Sequence, residues 1–336
     1  MAIVEELIIS DYGAFVGVKG GRLYIEIPEK PRQEAPLMHL RNLLVLTRSA
    51  SISTATYFAC ADAGALVSLI DPIDGTCLSM LSNKLTTVVE TRRCQLETMT
   101  HPRGVTIAKG LAVGKIMSQA QNLRYIARRY ENEIGAHLKE TSHTLQAYAD
   151  KITNLDAPTI DEIRNQMMGY EGYGARIYWE ALSRLIPDEY GWAGRVGRGA
   201  KDPVNVLLNY GYGILYGEVE HALHRAGLEP YAGLIHTDRP GKPSLTCDLI
   251  EEFRAPIVDR TVIGLVNRHY TVEFDENGLL TRDMRRNFAE HILERLRAQG
   301  VYDKNRLELR SIIQKQARKL ATAFRGEGDY RAYIGG

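Results

Sequence analysis

Short apolar runs of β-prone residues occupy the first part of the chain, and glycine-containing turns separate them. Branched and aromatic side chains dominate these runs, which favours strands, while Tyr12-Gly13 and Gly20-Gly21 interrupt them. Residues 51–63 are predicted to form a short helix behind a serine cap. We predict a β-rich domain over residues 1–95, whose many strand edges suit dimerisation. The predicted strands are residues 6–9, 14–18, 22–27, 43–46 and 65–70.

After residue 95 the hydrophobic period lengthens to three or four residues, as in helices. Val105, Ile107 and Leu111 begin this pattern, and it continues through most of the remaining chain. The predicted fold class is therefore α+β. A small N-terminal β-sandwich-like domain at residues 1–95 precedes a larger all-α domain at residues 96–336.

Capping residues mark where several of these helices begin. Thr159 followed by Glu162 forms a capping-box pattern, and Asp202 stands before a proline at a first helical position. The segment from Gly326 onward is predicted to be flexible. Further helices are predicted at residues 260–266, 281–299 and 305–324.

Glu171 lies inside the helix that Thr159 opens, next to Gly172. A glycine inside a helix costs about 1 kcal/mol relative to alanine, so a compensating reason is expected. Close approach of another helix or of a substrate backbone would supply that reason. Glu171 is either part of an exposed stripe or a buried functional acid, and the residues alone leave both interpretations open.

The stretch from Tyr231 to Pro256 combines an imidazole with two carboxylates. His236 enters a loop rich in proline and glycine, and a helix-compatible segment then presents Asp248 and Glu251. On a helix these two acids lie roughly 60° apart, so they share one face. Such a pair is usually solvated, but the flanking apolar residues predict partial burial, where unpaired carboxylates are costly. An imidazole with carboxylates suits Mn²⁺ or Mg²⁺ better than structural zinc.

Composition indicates a globular protein without a membrane span. With 336 residues and 44% hydrophobic residues, the chain can bury a sizeable core in one or two domains. We find no apolar run long enough for a membrane span and no signal peptide, so no membrane partner is expected. Four dispersed cysteines suit a reducing cytoplasm. The formal net charge is +1, so a nucleic-acid surface requires local clustering of basic residues.

Basic residues cluster locally in two places. The glycine-rich loop at residues 187–201 carries Arg195, Arg198 and Lys201, and it is either a mobile surface loop or a phosphate-binding loop. The C-terminal helices carry the largest positive surplus. Lys115 belongs to a basic helix face that we interpret as solvated, with phosphate contact as the alternative. The candidate DNA contacts are Arg195, Arg198, Lys201, Tyr216, Arg286, Lys315 and Arg318, although Tyr216 also suits the core.

Several motifs in order resemble one family over nearly the whole chain. They are GRLYIEIP, VVETRRCQLE, EGYGARIYW, DPVNVLLNYGYGILYGEVEHAL and GLIHTDRPGKPSLTCDLIEEFR. Together they resemble the CRISPR-associated adaptation integrase, the metal-dependent DNase subunit of the spacer-acquisition complex. The resemblance implies metal ligands at Glu171, His236 and Glu251, with Asp248 as a further acid of the catalytic site.

The resemblance also implies an activity and its partners. The 3′-hydroxyl of a captured DNA fragment would attack a phosphodiester at the CRISPR repeat, with Mn²⁺ or Mg²⁺ as cofactor. The implied partners are double-stranded and branched DNA, a second copy of the chain, and a small companion CRISPR adaptation protein. Two alternatives remain: a general branched-DNA nuclease of repair, and a catalytically silent DNA-binding scaffold.

Overall fold

The computed structural model of the chain describes residues 4–73, 77–80, 89–197 and 199–335, with backbone alone at 78–80. Arg198, one of the predicted DNA contacts, therefore lies outside the described residues. The chain divides into two compact units. The first comprises Met1–Thr86, Asn209–Gly217 and Thr271–His291, and the second comprises Thr87–Leu208, Glu218–Tyr270 and Ile292–Gly336. The functional boundary at residue 95 stays a prediction.

The described residues form ten strands. They are β1 (Glu6–Ile9), β2 (Phe15–Lys19), β3 (Arg22–Glu26), β4 (Gln33–Pro36), β5 (Asn42–Val45), β6 (Ser51–Ile52), β7 (Leu66–Ile70), β8 (Cys77–Met80), β9 (Gln299–Tyr302) and β10 (Asn305–Glu308). Within its described residues, the first unit contains two four-stranded sheets, one with the strand order β1-β5-β7-β8 and the other β4-β3-β2-β6. The five predicted strands are present in that unit, and β4, β6 and β8 are additional.

The core of the first unit is built from both of its sheets. Val16 and Leu23 from one sheet share a buried apolar cluster with Leu43 and Val67 from the other. Their alternation with outward-facing residues follows from the two-residue period of strands. The predicted sandwich-like domain and the α+β class are confirmed.

The described residues form ten α-helices. They are α1 (Thr54–Ala63), α2 (Val89–Thr98), α3 (Pro102–Ala127), α4 (Glu133–Thr153), α5 (Ile160–Ser183), α6 (Pro203–Arg225), α7 (Ser244–Phe253), α8 (Arg260–Val266), α9 (Arg282–Arg297) and α10 (Leu309–Arg325). In the second unit, α3 packs against α4, α5 and α7, so it is the central helix of that unit. A π-helical turn at Arg254–Asp259 joins α7 to α8.

Helix caps explain several of these boundaries. Asp202 accepts a hydrogen bond from the backbone N–H of Asn205, as its position before Pro203 predicts. Thr159 behaves differently, because its hydroxyl donates to Glu162 Oε1 at 2.9 Å and caps no backbone N–H. The capping-box prediction located the start of α5 correctly but was wrong about the bonds made there.

Two predictions about the last part of the chain are wrong. Asn305–Glu308 does not begin a helix, because it pairs antiparallel with Gln299–Tyr302 as β10 with β9. The second unit is therefore mostly helical but not all-α. The tail is not a flexible segment either, because Tyr330 and Tyr333 are buried in the second unit. No helix in the described ranges is both long and apolar enough to cross a bilayer.

Candidate active site

Three helices of the second unit bring two carboxylates to one ammonium group. Lys115 on α3 bonds Glu171 Oε1 on α5, and its Nζ lies 3.1 Å from Glu251 Oε2 on α7. The three side chains are 14%, 13% and 9% exposed, so solvent screens this cluster only weakly. Two acids that are 80 residues apart in sequence therefore converge on a single cation-binding point.

The charges at this point stabilise one another. Burial alone would raise the pKa of Glu251, but Arg254 and Lys115 outweigh it and lower that pKa below its usual value. Arg254 contributes through an ion pair of 3.0 Å with Glu251 Oε1. Burial would lower the pKa of Lys115, but the charges of Glu251 and Glu171 raise it. Lys115 and Glu251 are therefore both charged at neutral pH.

His236 lies beside this cluster and is held by Asp248. The His236 Nδ1 is 2.6 Å from Asp248 Oδ1, and the Asp248 side chain is fully buried. When Nδ1 carries the ring proton, its N–H donates a hydrogen bond to this carboxylate. Nε2 then keeps its lone pair and can bind a ligand. His236 is also close enough to Glu251 that a proton on its ring would help to lower the pKa of that acid.

Asp248 fixes the backbone before His236 as well as the ring. Its carboxylate accepts hydrogen bonds from the backbone N–H groups of Leu234 at 2.7 Å, Ile235 at 3.1 Å and His236 at 3.0 Å. Gly233 permits this close approach, because a Cβ there would lie 2.9 Å from Asp248 Oδ2. The loop and the start of α7 are thus bound together by one buried acid.

The donor set fits a divalent cation. Glu171 and Glu251 already share one positive partner, and His236 offers a nitrogen donor nearby. Carboxylate oxygens with one imidazole are ligands that Mn²⁺ and Mg²⁺ accept. In the described part of the chain, no three His, Cys, Asp or Glu side chains are already grouped as a metal site. Lys115 sits between the two acids instead, so metal binding requires that its ammonium withdraw.

The opposite side of α7 is held by the C-terminal tail. Glu252 is buried, and its carboxylate accepts hydrogen bonds from the Tyr330 hydroxyl, from Gln316 Nε2 at 2.9 Å and from the Tyr333 backbone N–H at 2.9 Å. Burial raises the pKa of Glu252 to about 7, against the lowering effect of these donors. The helix that carries Asp248 and Glu251 is thereby anchored on both faces.

The predicted DNA contacts fall into different environments. The Arg195 guanidinium bonds Asn205 Oδ1 at 3.0 Å and is half-buried, so it helps to organise the glycine-rich loop. Lys201 is exposed in that loop, and Tyr216 is half-buried on α6. Three of the predicted contacts are exposed on the C-terminal helices, and these are Arg286 on α9 and Lys315 and Arg318 on α10.

Not every basic residue of the C-terminal helices is available for DNA. Arg310 is 12% exposed and bonds Glu218 at 3.1 and 3.2 Å. Arg285 donates to the backbone carbonyl of Leu280 at 2.8 Å. These two residues are structural, so the predicted basic surface is smaller than the sequence indicates.

Lys115 and Arg254 are the functional candidates that the sequence interpretation missed. The basic face of α3 was predicted to be solvated, which is wrong for Lys115 because it is buried between two acids. One signal was present: Lys115 follows Gly114, where a Cβ would lie 2.4 Å from Ala332 Cβ and 3.1 Å from Glu252 Cγ on α7. A glycine inside a long helix indicates that another segment packs closely there, and Lys115 is its neighbour in sequence.

Comparison with solved structures defines the class of fold. The structure titled "Casposase bound to integration product" matches with a TM-score of 0.83 at 22% identity, covering 98% of this chain and 93% of that one. A Cas1 protein from Thermotoga maritima matches with a TM-score of 0.79 at 19% identity, covering 98% and 100%. The chain therefore has the fold shared by the casposase and Cas1 proteins.

Sequence comparison then identifies the family. The family described as "CRISPR associated protein Cas1" matches residues 7–294. A "CRISPR-associated endonuclease Cas1 1" of Archaeoglobus fulgidus is 32% identical over 98% of this chain and 99% of its own length. Its namesake in Francisella tularensis subsp. novicida is 31% identical over 98% and 99%. The chain belongs to the Cas1 family, which confirms the predicted resemblance to the CRISPR adaptation integrase.

Proposed function

We propose that this protein is a metal-dependent DNA endonuclease and integrase of CRISPR spacer acquisition. It joins the 3′-hydroxyl ends of captured DNA fragments to the CRISPR repeat. The observation that carries the proposal is the convergence of Glu171 and Glu251 on Lys115 beside His236, in a chain of the Cas1 family. The relatives named endonucleases and the casposase bound to an integration product support the same class of reaction.

Glu171, His236 and Glu251 are the proposed ligands of Mn²⁺ or Mg²⁺. A divalent cation bound there would polarise a non-bridging phosphate oxygen and make the attacking hydroxyl more acidic. In the reaction, the hydroxyl oxygen forms a new bond to phosphorus while an existing phosphorus–oxygen bond of the repeat breaks. The displaced strand takes up a proton and leaves with its own 3′-hydroxyl, so no oxidant or cofactor is consumed.

The remaining residues hold this arrangement in place. Asp248 orients the His236 ring and keeps Nε2 available as a donor. Arg254 pairs with Glu251 Oε1 and keeps that acid charged. Lys115, once it releases the two acids, becomes a buried ammonium next to the scissile phosphate. Such a preorganised cation stabilises charge that develops on a phosphate oxygen.

Double-stranded and branched DNA are the proposed substrates. A structure titled "Crystal structure of TtCas1-DNA complex" matches this chain with a TM-score of 0.57 at 20% identity. The exposed cations Arg286, Lys315, Arg318 and Lys201 are proposed to contact phosphates, which position DNA without reading its sequence. Arg195 and Arg198, in the same loop as Lys201, and Tyr216 complete the proposed contact set.

A second copy of the chain and a companion adaptation protein are the proposed protein partners. A structure titled "Cas6-RT-Cas1--Cas2 complex" matches with a TM-score of 0.76 at 20% identity, over 98% of this chain. The first unit exposes Tyr12, Met38 and Phe58 at 82%, 80% and 74%. Large exposed apolar side chains mark protein interaction surfaces. We propose that residues 1–95 form the homodimer contact and that residues 96–336 form the catalytic domain, in a cytoplasmic protein.

The test of function is integration into a supercoiled array plasmid, with and without the companion protein, in Mn²⁺ or Mg²⁺. Wild-type protein should join fragment ends to the repeat and nick branched DNA. His236→Ala and Glu171→Ala should abolish both activities while DNA binding persists. His269→Ala is the matched control, because this exposed histidine pairs with Glu189 away from the cluster.

Two results would redirect the proposal. Cleavage of Holliday-type junctions without preference for repeat DNA would indicate a general branched-DNA nuclease. Absence of Mn²⁺ binding in calorimetry would indicate a DNA-binding scaffold. For the dimer, Phe58→Asp should shift the light-scattering mass from two copies to one, and a wild-type monomer would exclude the proposed contact.

A further inference from the structure

Arg164 joins the helix that carries Glu171 to the segment that carries His236. It lies seven residues before Glu171 on α5, so the two side chains share one face and are about 10 Å apart along the helix axis. Its guanidinium donates to the backbone carbonyl of Leu234, from Nη2 at 3.1 Å and from Nε at 3.4 Å. Leu234 precedes His236 by two residues, so Arg164 bonds the chain just before the proposed histidine ligand.

The backbone of Leu234 is held by two helices at once. Its N–H donates to Asp248 Oδ2 on α7 at 2.7 Å, while its C=O accepts from Arg164 on α5. Both bonds have a charged partner, which makes them stronger than bonds between neutral groups. Leu234 is 1% exposed, so water has little access to replace either bond. The segment is therefore fixed against both helices that carry a proposed carboxylate ligand.

The bond to α5 has a task that the bonds to α7 cannot perform. Asp248 fixes the backbone and ring of His236 to α7, which also carries Glu251. Within the described residues, the two bonds from Arg164 are the hydrogen bonds that join α5 to residues 231–237. The separation between the imidazole and the acid of α5 therefore depends on Arg164.

Arg164 is itself held in one orientation. Its Nη1 pairs with Asp161, one turn earlier on α5, and the Arg164 side chain is 17% exposed. The Asp161 side chain is 77% exposed, so water screens this pair and the pair alone contributes little stability. A guanidinium presents its donors in a rigid fork and can serve both partners in one geometry, whereas an ammonium is a single point donor on a flexible stem.

We propose that Arg164 is a positioning residue of the metal site, which sets the distance between His236 and Glu171 through its bonds to the Leu234 carbonyl. The inference rests on the proposed function, because it explains how the ligands of that site are brought to one cation. Removal of a residue that orients a metal ligand lowers metal affinity by about 10–100-fold. Loss of a nearby positive charge has the opposite effect, because it strengthens cation binding or leaves it unchanged. The direction of the change in affinity therefore separates positioning from simple electrostatics.

Calorimetry of the full-length protein with Mn²⁺ tests the inference. Arg164→Met should weaken Mn²⁺ binding about tenfold, because the Leu234 carbonyl loses its bond to α5. Arg176→Met is the matched control and should leave the affinity unchanged, since Arg176 is an exposed arginine of the same helix that pairs with Glu180 at 3.1 Å. Wild-type or tighter binding by Arg164→Met would overturn the proposal.

The His236→Ala background shows whether Arg164 acts through the histidine. In that background, Arg164→Met should weaken Mn²⁺ binding no further, because no imidazole remains to be positioned. An equal tenfold loss in both backgrounds would reveal a general effect on the fold and contradict the proposal. If Arg164→Met does not fold, Arg164→Lys takes its place. It keeps the charge but not the fork, and it should also weaken Mn²⁺ binding.

Amide hydrogen exchange in EDTA gives a readout that needs neither metal nor catalysis. Arg164→Met should speed exchange of residues 234–236 severalfold, while urea unfolding checks that the variant is otherwise folded. Unchanged exchange would show that Arg164 does not hold this segment.

Failure of this inference can be told apart from failure of the proposed function. If His236→Ala binds Mn²⁺ as tightly as wild type, His236 is not a ligand, and the proposed metal site fails and the inference with it. If His236→Ala loses affinity while Arg164→Met retains it, only the positioning role of Arg164 is wrong.

Discussion

The ammonium of Lys115 lies 3.1 Å from Glu251 Oε2 while it also bonds Glu171 Oε1. A cation that belongs to the protein therefore neutralises the two acids proposed to bind metal. Without the charge of Lys115, two buried carboxylates would face each other, and their repulsion would strongly destabilise the protein. The ion pairs also mean that metal and Lys115 compete for the same oxygens.

Lys115→Met should tighten Mn²⁺ binding and destabilise the metal-free protein. The substitution removes an ammonium that lies 3.1 Å from Glu251 Oε2 and repels a metal ion there. We therefore expect the affinity for Mn²⁺ to rise at least about tenfold. The metal-free unfolding free energy should fall by about 3 kcal/mol, since the acids lose their buried partner. Calorimetry with Mn²⁺ and urea unfolding in EDTA measure these two quantities.

Lys109→Met is the matched control for that substitution. Lys109 lies on the same helix but donates to the backbone carbonyl of Leu155 at 2.5 Å. Its loss should leave Mn²⁺ affinity unchanged. If Lys115→Met binds Mn²⁺ no more tightly than this control, the two acids do not form the metal site.

Asp248→Asn should destabilise the loop before α7 as well as misorient His236. Oδ2 accepts from the N–H groups of Leu234 and Ile235, and Oδ1 accepts from the N–H of His236. In either orientation of asparagine, its NH₂ group would therefore face an N–H donor and lose a hydrogen bond. Hydrogen bonds to a charged group contribute about 1.5–3 kcal/mol each, so we expect a loss of about 3 kcal/mol in urea unfolding. Asp238→Asn, at an exposed acid that accepts from Ser244 Oγ, should cost less than about 1 kcal/mol. Equal costs would show that Asp248 is not the structural anchor.

Glu252→Gln should stabilise the metal-free protein at alkaline pH. The pKa of Glu252 is raised from 4.5 to about 7, so the folded state binds a proton there that the unfolded state has released. The stability from this group is therefore complete below the unfolded pKa, declines as the pH rises and is lost above about 7. Glutamine cannot ionise, and its NH₂ can donate to the Tyr330 hydroxyl while its oxygen accepts from Gln316 and Tyr333.

The difference in unfolding free energy between Glu252→Gln and wild type should grow by about 2–3 kcal/mol from ~pH 5 to ~pH 8. Urea unfolding in EDTA at several pH values measures it. Glu90→Gln, at an exposed acid on α2, serves as the control and should show no such dependence. A pH-independent difference would mean that Glu252 is ionised in the folded protein throughout this range.

Lys315→Ala combined with Arg318→Ala should weaken DNA binding equally for all sequences. Both side chains are exposed on α10, so they are available to phosphates. The slope of log affinity against log salt should fall by about 2 in magnitude, since each side-chain contact to a phosphate releases roughly one counterion. Lys139→Ala, at an exposed lysine of α4, is the control and should leave the slope unchanged. An unaltered slope in the double variant would exclude α10 from the interface.

His236, Asp248 and Glu251 could be proposed as one cluster from sequence because one short stretch contains all three. The prolines and Gly241 define a loop, and the acids that follow share one face of α7. Their partner Glu171 was uncertain from the residues alone, because an acid in an amphipathic helix has no local signal that tells whether it is buried. Packing between α3 and α5 decides whether Glu171 is buried, and a single sequence does not show which helices pack together.

Residues that depend on distant contacts were predicted poorly. Lys115 looks like part of a solvated basic face, and Glu171 and Glu251 alone make its burial favourable. Residues 305–308 contain helix-compatible side chains, yet pairing with β9 makes them a strand. The glycine-rich tail appeared mobile, although Tyr330 and Tyr333 had the apolar rings needed to anchor it.

The anchoring of Glu252 by Tyr330 and Tyr333 has a consequence for biosynthesis. Ribosomes deliver these two tyrosines after all ten described helices. Until then, the buried carboxylate behind the proposed metal ligands lacks two of its three hydrogen-bond donors. A chain terminated before Tyr330 therefore lacks two hydrogen bonds that hold α7 behind the proposed metal ligands, so we expect DNA cutting to require translation through that segment.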